Sequence, residues 1–217
     1  MMAAGKHTQK LPLRLKSTKP KSTKGSRKSV LDGMAPPELA AVLQALIERH
    51  PDLRAEAEAA AIEMMSASTV EDIAEGVFDA VTSLDLDSLC GRAGSQPWGY
   101  VEPSEAAWEL LEEPVENAIA DMKRYMHLGL KTAAETICCG IVAGLHKAKS
   151  PGTNGLLHWA PDFTEEEACS AVFELIHMCA GKDRRAVHDR LISALADLVP
   201  NWHEMLSQTA VRALRGR

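Results

Sequence analysis

Residues 103–148 read PSEAAWELLEEPVENAIADMKRYMHLGLKTAAETICCGIVAGLHKA. The apolar residues Trp108, Leu111, Val115, Ala118, Ile119, Met122 and Met126 follow at steps of three or four, or pair on adjacent positions. After Gly129 the rhythm resumes with Leu130, Ala133, Ala134, Ile137, Cys138, Ile141, Val142 and Leu145. Such steps hold side chains on one face of a 3.6-residue helix. Two helices meeting at one glycine cannot hide their stripes alone, so the spacing predicts an antiparallel hairpin with Trp108 in its core. Pro114 lies inside the first stripe without shifting its phase, which predicts one kinked helix rather than two.

Working outward toward the N-terminus, Gly91–Glu102 reads as a loop, broken by Gly94, Pro97 and Gly99 and carrying Trp98 and Tyr100. Asp85 to Cys90 adds a short helical turn. Ser68 with Glu71 forms a capping-box pattern, opening a helix through about residue 83 with Ile73, Val77, Phe78 and Val81 facing in. Pro36 and Pro37 suit the first turn of a helix. Its stripe of Leu39, Val42, Leu43, Leu46 and Ile47 ends at His50, and an Ala- and Glu-rich helix follows through roughly residues 52–65.

Toward the C-terminus, residues 149–163 form a second loop containing Leu156-Leu157-His158-Trp159. Thr164 with Glu167 makes another capping box, with Phe163 stapled onto Ala168, and that helix stops at Gly181. Asp183 caps a helix bearing Val187, Leu191, Ala194, Leu195 and Leu198. Asn201 caps a last one through Trp202, Met205, Leu206 and Val211. The expected fold is all-α, with about seven or eight helices stacked as antiparallel hairpins over residues 31–217 and no strand.

Composition fits that expectation. The chain of 217 residues is 46% hydrophobic but only 4% aromatic, which favours close-packed helices built from Leu, Ala, Ile, Val and Met. Charge is divided sharply. Residues 1–30 hold nine cations, Lys6, Lys10, Arg14, Lys16, Lys19, Lys21, Lys24, Arg27 and Lys28, and no acid. The remainder holds 15 basic and 30 acidic side chains. The first segment reads as a disordered basic tail, rich in Lys, Ser, Thr and Pro, with Leu11, Leu13 and Leu15 as its single apolar cluster. A basic arm on an acidic body points to a polyanion, so these nine side chains are the candidate DNA- or RNA-binding residues.

Five cysteines, an odd number mostly inside helices, do not make a secreted disulfide framework. No apolar run is long enough to span a membrane, and the N-terminus lacks the apolar core of a secretory signal. A cytoplasmic protein with reduced thiols is expected.

Motifs for chemistry are sparse. Glu174 with His177 is one Glu-x-x-His pair of the kind used by di-iron bundles, but a second pair is missing. Cys138 and Cys139 are adjacent and read as small core residues. His188 with Asp189 reads as a polar helix edge. No Cys-x-x-Cys, His-Glu-x-x-His, phosphate-binding glycine loop or nucleophile elbow occurs, so neither enzyme, cofactor nor metal is expected. Trp98, Tyr100 and Trp159, aromatics in the loops of an aromatic-poor chain, are candidate partner anchors.

Two passages resemble a known family. LDGMAPPELAAVLQALIERHPDLRAEAE (31–58) is similar to the helical pair that follows the zinc finger in bacterial SWIM zinc-finger proteins. The segment 99–148 is similar to the next part there, an aromatic-containing loop opening a long helix that pairs with a second. The SWIM ligands, Cys-x-Cys followed by Cys-x-His, are absent, so no metal or nucleic-acid residue carries over. The resemblance implies stacked helical hairpins of the tetratricopeptide or HEAT type. The expected function is therefore a non-enzymatic scaffold with a protein partner. A nucleic-acid-associated protein using the basic arm is the alternative, followed by a small metal bundle or enzyme around Glu174 and His177.

Overall fold

The computed structural model of the chain describes residues 29–97, 99–150 and 155–216. It is all-α, with nine α-helices among the described residues. The chain divides into two compact units, Met1–Arg54 and Ala55–Arg217.

In the first unit a short 3-10 turn, Val30–Gly33, precedes helix α1, Pro36–Arg49. Ser29 and Asp32 cap the turn reciprocally, the Asp32 carboxylate accepting the Ser29 N–H at 2.9 Å. Pro36 opens α1 where its missing donor costs nothing, and Glu38 accepts the Ala35 N–H at 2.7 Å. The helix ends before His50, as its apolar stripe predicts, yet none of its residues is buried.

Helix α2, Leu53–Met65, starts at the end of the first unit, continues into the second and also buries nothing. Helices α3 (Val70–Thr82) and α4 (Leu86–Arg92) come next. Then come the long α5 (Pro103–His127), α6 (Lys131–Ala148), α7 (Phe163–Met178), α8 (Gly181–Leu198) and α9 (His203–Arg215). Helix α5 runs unbroken through Pro114, and Gly129, with φ of 79°, turns the chain into α6. The hairpin over 103–148 is therefore present.

Helix α6 is the hub: α3, α5, α7 and α8 all pack on it. From Cys138 to Leu145 it buries every residue except Ala143, the pattern of a helix surrounded on all sides. Its tightest neighbour is α3. A Cβ on Gly140 would sit 2.5 Å from Ile73 Cβ, and one on Gly144 would sit 2.6 Å from the Ala74 carbonyl oxygen. Two glycines one turn apart thus let the two backbones approach closely. Lys147 secures the edge of that contact, reaching Glu75 at 2.6 Å and lying 4.2 Å from the Phe78 ring centre.

Several local expectations shift. The loop Gly91–Glu102 contains a short antiparallel ribbon, β1 (Gly94–Gln96) on β2 (Gly99–Val101), with Ser95 opposite Tyr100. Strands of three residues are too short to display an alternating pattern. The α3 cap is Thr69 with Asp72, one residue after Ser68 and Glu71. Thr164 does not cap α7: Asp162 holds that position, and Thr164 is buried inside the first turn. Helix α7 ends at Met178, and α8 starts at Gly181 after Ala180 rather than at Asp183. The last helix begins at His203 after a 3-10 turn, Pro200–Trp202, so Asn201 is not its cap. Trp108 is half-buried at the stripe's edge, edge-on to Phe163 at 5.1 Å, while Ala106, Ala107 and Leu110 complete the stripe's centre. Ala194, Leu198 and Val211 are exposed, and Ala210 and Ala213 take the core places of α9.

Candidate interaction surfaces

The nine basic residues from Lys6 to Lys28, and Trp98, lie outside the described residues. Of the other aromatic candidates, Tyr100 on β2 is 66% exposed and Trp159, after a 3-10 turn, is 44% exposed. Trp159 packs edge-on to His158 at 6.1 Å. They belong to separate segments of the chain.

The pair Glu174 and His177 is not arranged as a ligand pair. Glu174 is engaged by Lys123 of α5 at 3.2 Å, and His177 stacks on Phe173 at 5.5 Å between ring centres. No group of three His, Cys, Asp or Glu side chains is placed to hold a metal ion among the described residues. His188 Nδ1 lies 2.8 Å from the Asp189 carboxylate, while its Nε2 is buried without a hydrogen-bond partner. This helix edge is thus less solvated than its sequence suggests.

All five cysteines are free. Burial raises the Cys138 thiol well above its ordinary value and, aided by the Glu135 charge, pushes Cys139 up to about 11. Both are protonated packing residues at neutral pH. A carboxyl on α7 is shifted in the same direction. Burial, followed by the charges of Glu112, Glu116 and Glu166, raises the Glu167 carboxyl.

No family model, curated protein or solved structure matches the chain. Function therefore has to be read from this chain's own surfaces. No helix among the described residues is long and apolar enough to cross a membrane.

The surface that departs most from an ordinary exterior is α1. Its stripe, legible in sequence as a core face, leaves Leu39 40%, Leu43 52% and Leu46 44% exposed. Val42 and Ile47 beside them are only half-covered. Along this face runs an open groove of about 400 Å³ lined by Ala40, Leu43, Gln44, Ile47, Glu48 and Arg54. Apolar stripes of this regularity on a water-facing helix mark interaction sites. A smaller cavity of about 160 Å³ between α3, α5 and α6 is lined by Ile73, Ala118, Tyr125, Ala133 and Ile137, with Asp121 at its wall. That carboxylate is already held by Arg124 at 3.0 Å. Sequence reading missed the α1 site because it took the stripe for core, and missed Gly140 and Gly144 because two glycines in a helix carry no label of what lies opposite.

Proposed function

We propose that the protein is a non-enzymatic helical scaffold whose α1 face receives a protein partner. The observation that carries this is the row Leu39, Leu43 and Leu46, facing water in a regular amphipathic helix. A helix of 14 residues with nothing buried gains little stability by itself, so a partner supplies the missing apolar contact. The resemblance of residues 31–58 and 99–148 to the helical region of SWIM zinc-finger proteins supports the same reading. We place the protein in the cytoplasm, where five unpaired thiols stay reduced.

The test is affinity capture with the full chain and with its Leu39→Gln/Leu43→Gln variant, read for protein and nucleic acid. A defined polypeptide retained by the first and lost by the second is expected. Equal retention by both overturns the assignment of α1.

A second reading rests on nine cations without an acid in residues 1–30. The arm binds DNA or RNA without sequence preference, as a tether beside the protein-binding surface. Affinity then falls with salt by about 0.9 in log K per log salt for each neutralised phosphate of duplex DNA. Fluorescence anisotropy with full-length protein and with residues 1–30 removed should show binding only in the former. Equal binding by both assigns the contact to the helical part.

A further inference from the structure

We propose that the partner of α1 is a second copy of this chain, held by an antiparallel pairing of the two α1 helices about a two-fold axis. The proposal rests on the reading of α1 as the partner-binding face and names what occupies that face.

Charge makes the helix complementary to its own reverse. At 3.6 residues per turn, Leu39, Leu43, Leu46 and Ile47 fall within about 100° of arc and form one apolar face. Glu38 in the first turn and Arg49 in the last stand within about 20° of each other, on the flank beside Val42. A two-fold axis through the apolar face reverses the second helix and sets like flank against like flank. Glu38 of each copy then meets Arg49 of the other, which gives two ion pairs. Both groups have capacity for this. Arg49 has no ion-pair partner among the described residues, and Glu38 accepts the Ala35 N–H through only one of its oxygens. A parallel pairing would instead oppose Glu38 to Glu38 and Arg49 to Arg49, and would align the two helix dipoles unfavourably.

Packing agrees with the same axis, which passes close to Leu43 and Gln44. Leu43 then lies against Leu46 of the other copy. Ala40, the smallest side chain lining the groove, stands opposite Ile47 of the other copy, so a large residue meets a small one at both ends of the contact. Size sets the strength. A helix of 14 residues is about 21 Å long, and one pair of such helices buries less than the roughly 1,200 Å² of stable interfaces. The dimer is therefore weak and forms reversibly with concentration.

Sedimentation equilibrium of the full chain over a wide concentration range tests it, and should show a monomer passing to a dimer. Glu38→Lys and Arg49→Glu each set like charges against each other in both reciprocal contacts, so each variant alone should dimerise about tenfold or more weakly. Mixed in equal amounts, the two variants recover both ion pairs and should associate at close to wild-type strength. That recovery also shows that neither substitution has cost the α1 helix. Leu43→Gln, beside the axis, should abolish the dimer. A wild-type chain that stays monomeric, or a dimer that none of these substitutions weakens, overturns the proposal. Weakening that mixing does not relieve overturns the antiparallel pairing. If the chain stays monomeric while Leu39→Gln/Leu43→Gln still loses a captured polypeptide, the dimer is excluded and the scaffold reading stands with a different partner.

Discussion

In α5, Leu111, Val115 and Met122 are completely buried, whereas the leucines of α1 at the same helical spacing keep two-fifths to half of their surface in water. Both stripes follow the 3.6-residue rhythm and both helices open on proline. Periodicity therefore identifies which face is apolar and leaves open what covers it. For α5 the answer lies nearby in sequence, because Gly129 turns the chain and returns α6 alongside. For α1 the described residues of its own unit offer no such return.

The largest expected effect sharpens that contrast from the packed side. Leu111→Ala removes a fully buried side chain and should cost about 2–5 kcal/mol, the range for leucine truncations in a rigid core. Urea denaturation should show a lower midpoint with an unchanged slope. A loss below about 1 kcal/mol would mean that α5 is no better covered than α1.

Next comes the contact between α3 and α6. Gly144→Ala places a methyl 2.6 Å from the Ala74 carbonyl and 2.9 Å from Val77 Cβ, both held in a helix. Overpacking should cost about 1–3 kcal/mol. The contrasting change is Gly76→Ala in α3, where an added methyl meets nothing within 4 Å. Removing a helical glycine there should instead gain about 0.5–1 kcal/mol. Thermal melts of the two variants should move in opposite directions, and shifts of the same sign would show that backbone proximity does not govern this interface.

The limits of sequence reading follow the same physics. The ends of α1 and the break at Gly129 were legible because proline, glycine and stripe phase are local signals. Caps were located less well: Ser68 and Thr69 are chemically equivalent candidates, and only the placement of Asp72 selects Thr69. Thr164 fits a cap in sequence but is buried, with its hydroxyl lacking a partner in the structure. The hub role of α6 was half visible in Cys138 to Leu145. The reason for Gly140 and Gly144 was not, since it resides in Ile73, Ala74 and Val77 some seventy residues away. Among the candidate anchors, Tyr100 and Trp159 are exposed, but nothing in their spacing told them apart from lids.

A smaller effect probes a cost carried inside the packed unit. The Glu167 carboxyl is raised by burial and then by Glu112, Glu116 and Glu166, so its ionised form is disfavoured in the folded state. The resulting penalty is absent below the ordinary carboxylate pKa, near 4.3, and develops as pH rises through the raised native value. Glu167→Gln should therefore stabilise the fold at pH 7 by about 0.5 kcal/mol, the scale of a like-charge pair on helix surfaces. The gain should vanish on acidification below about pH 4. A gain that persists in acid would trace the effect to packing rather than charge.

The smallest change tests the exposed side of the comparison directly. Leucine and glutamine have similar helix propensities, so Leu43→Gln alters the polarity of the α1 face with little change in its backbone preference. With Leu43 52% exposed, the substitution should move unfolding stability by no more than about 0.5 kcal/mol. Helical circular dichroism should be unchanged. A loss approaching that of Leu111→Ala would mean that the α1 leucines are packed as firmly as those of α5. A neutral melt with an unchanged helical signal would identify the α1 leucines as surface side chains.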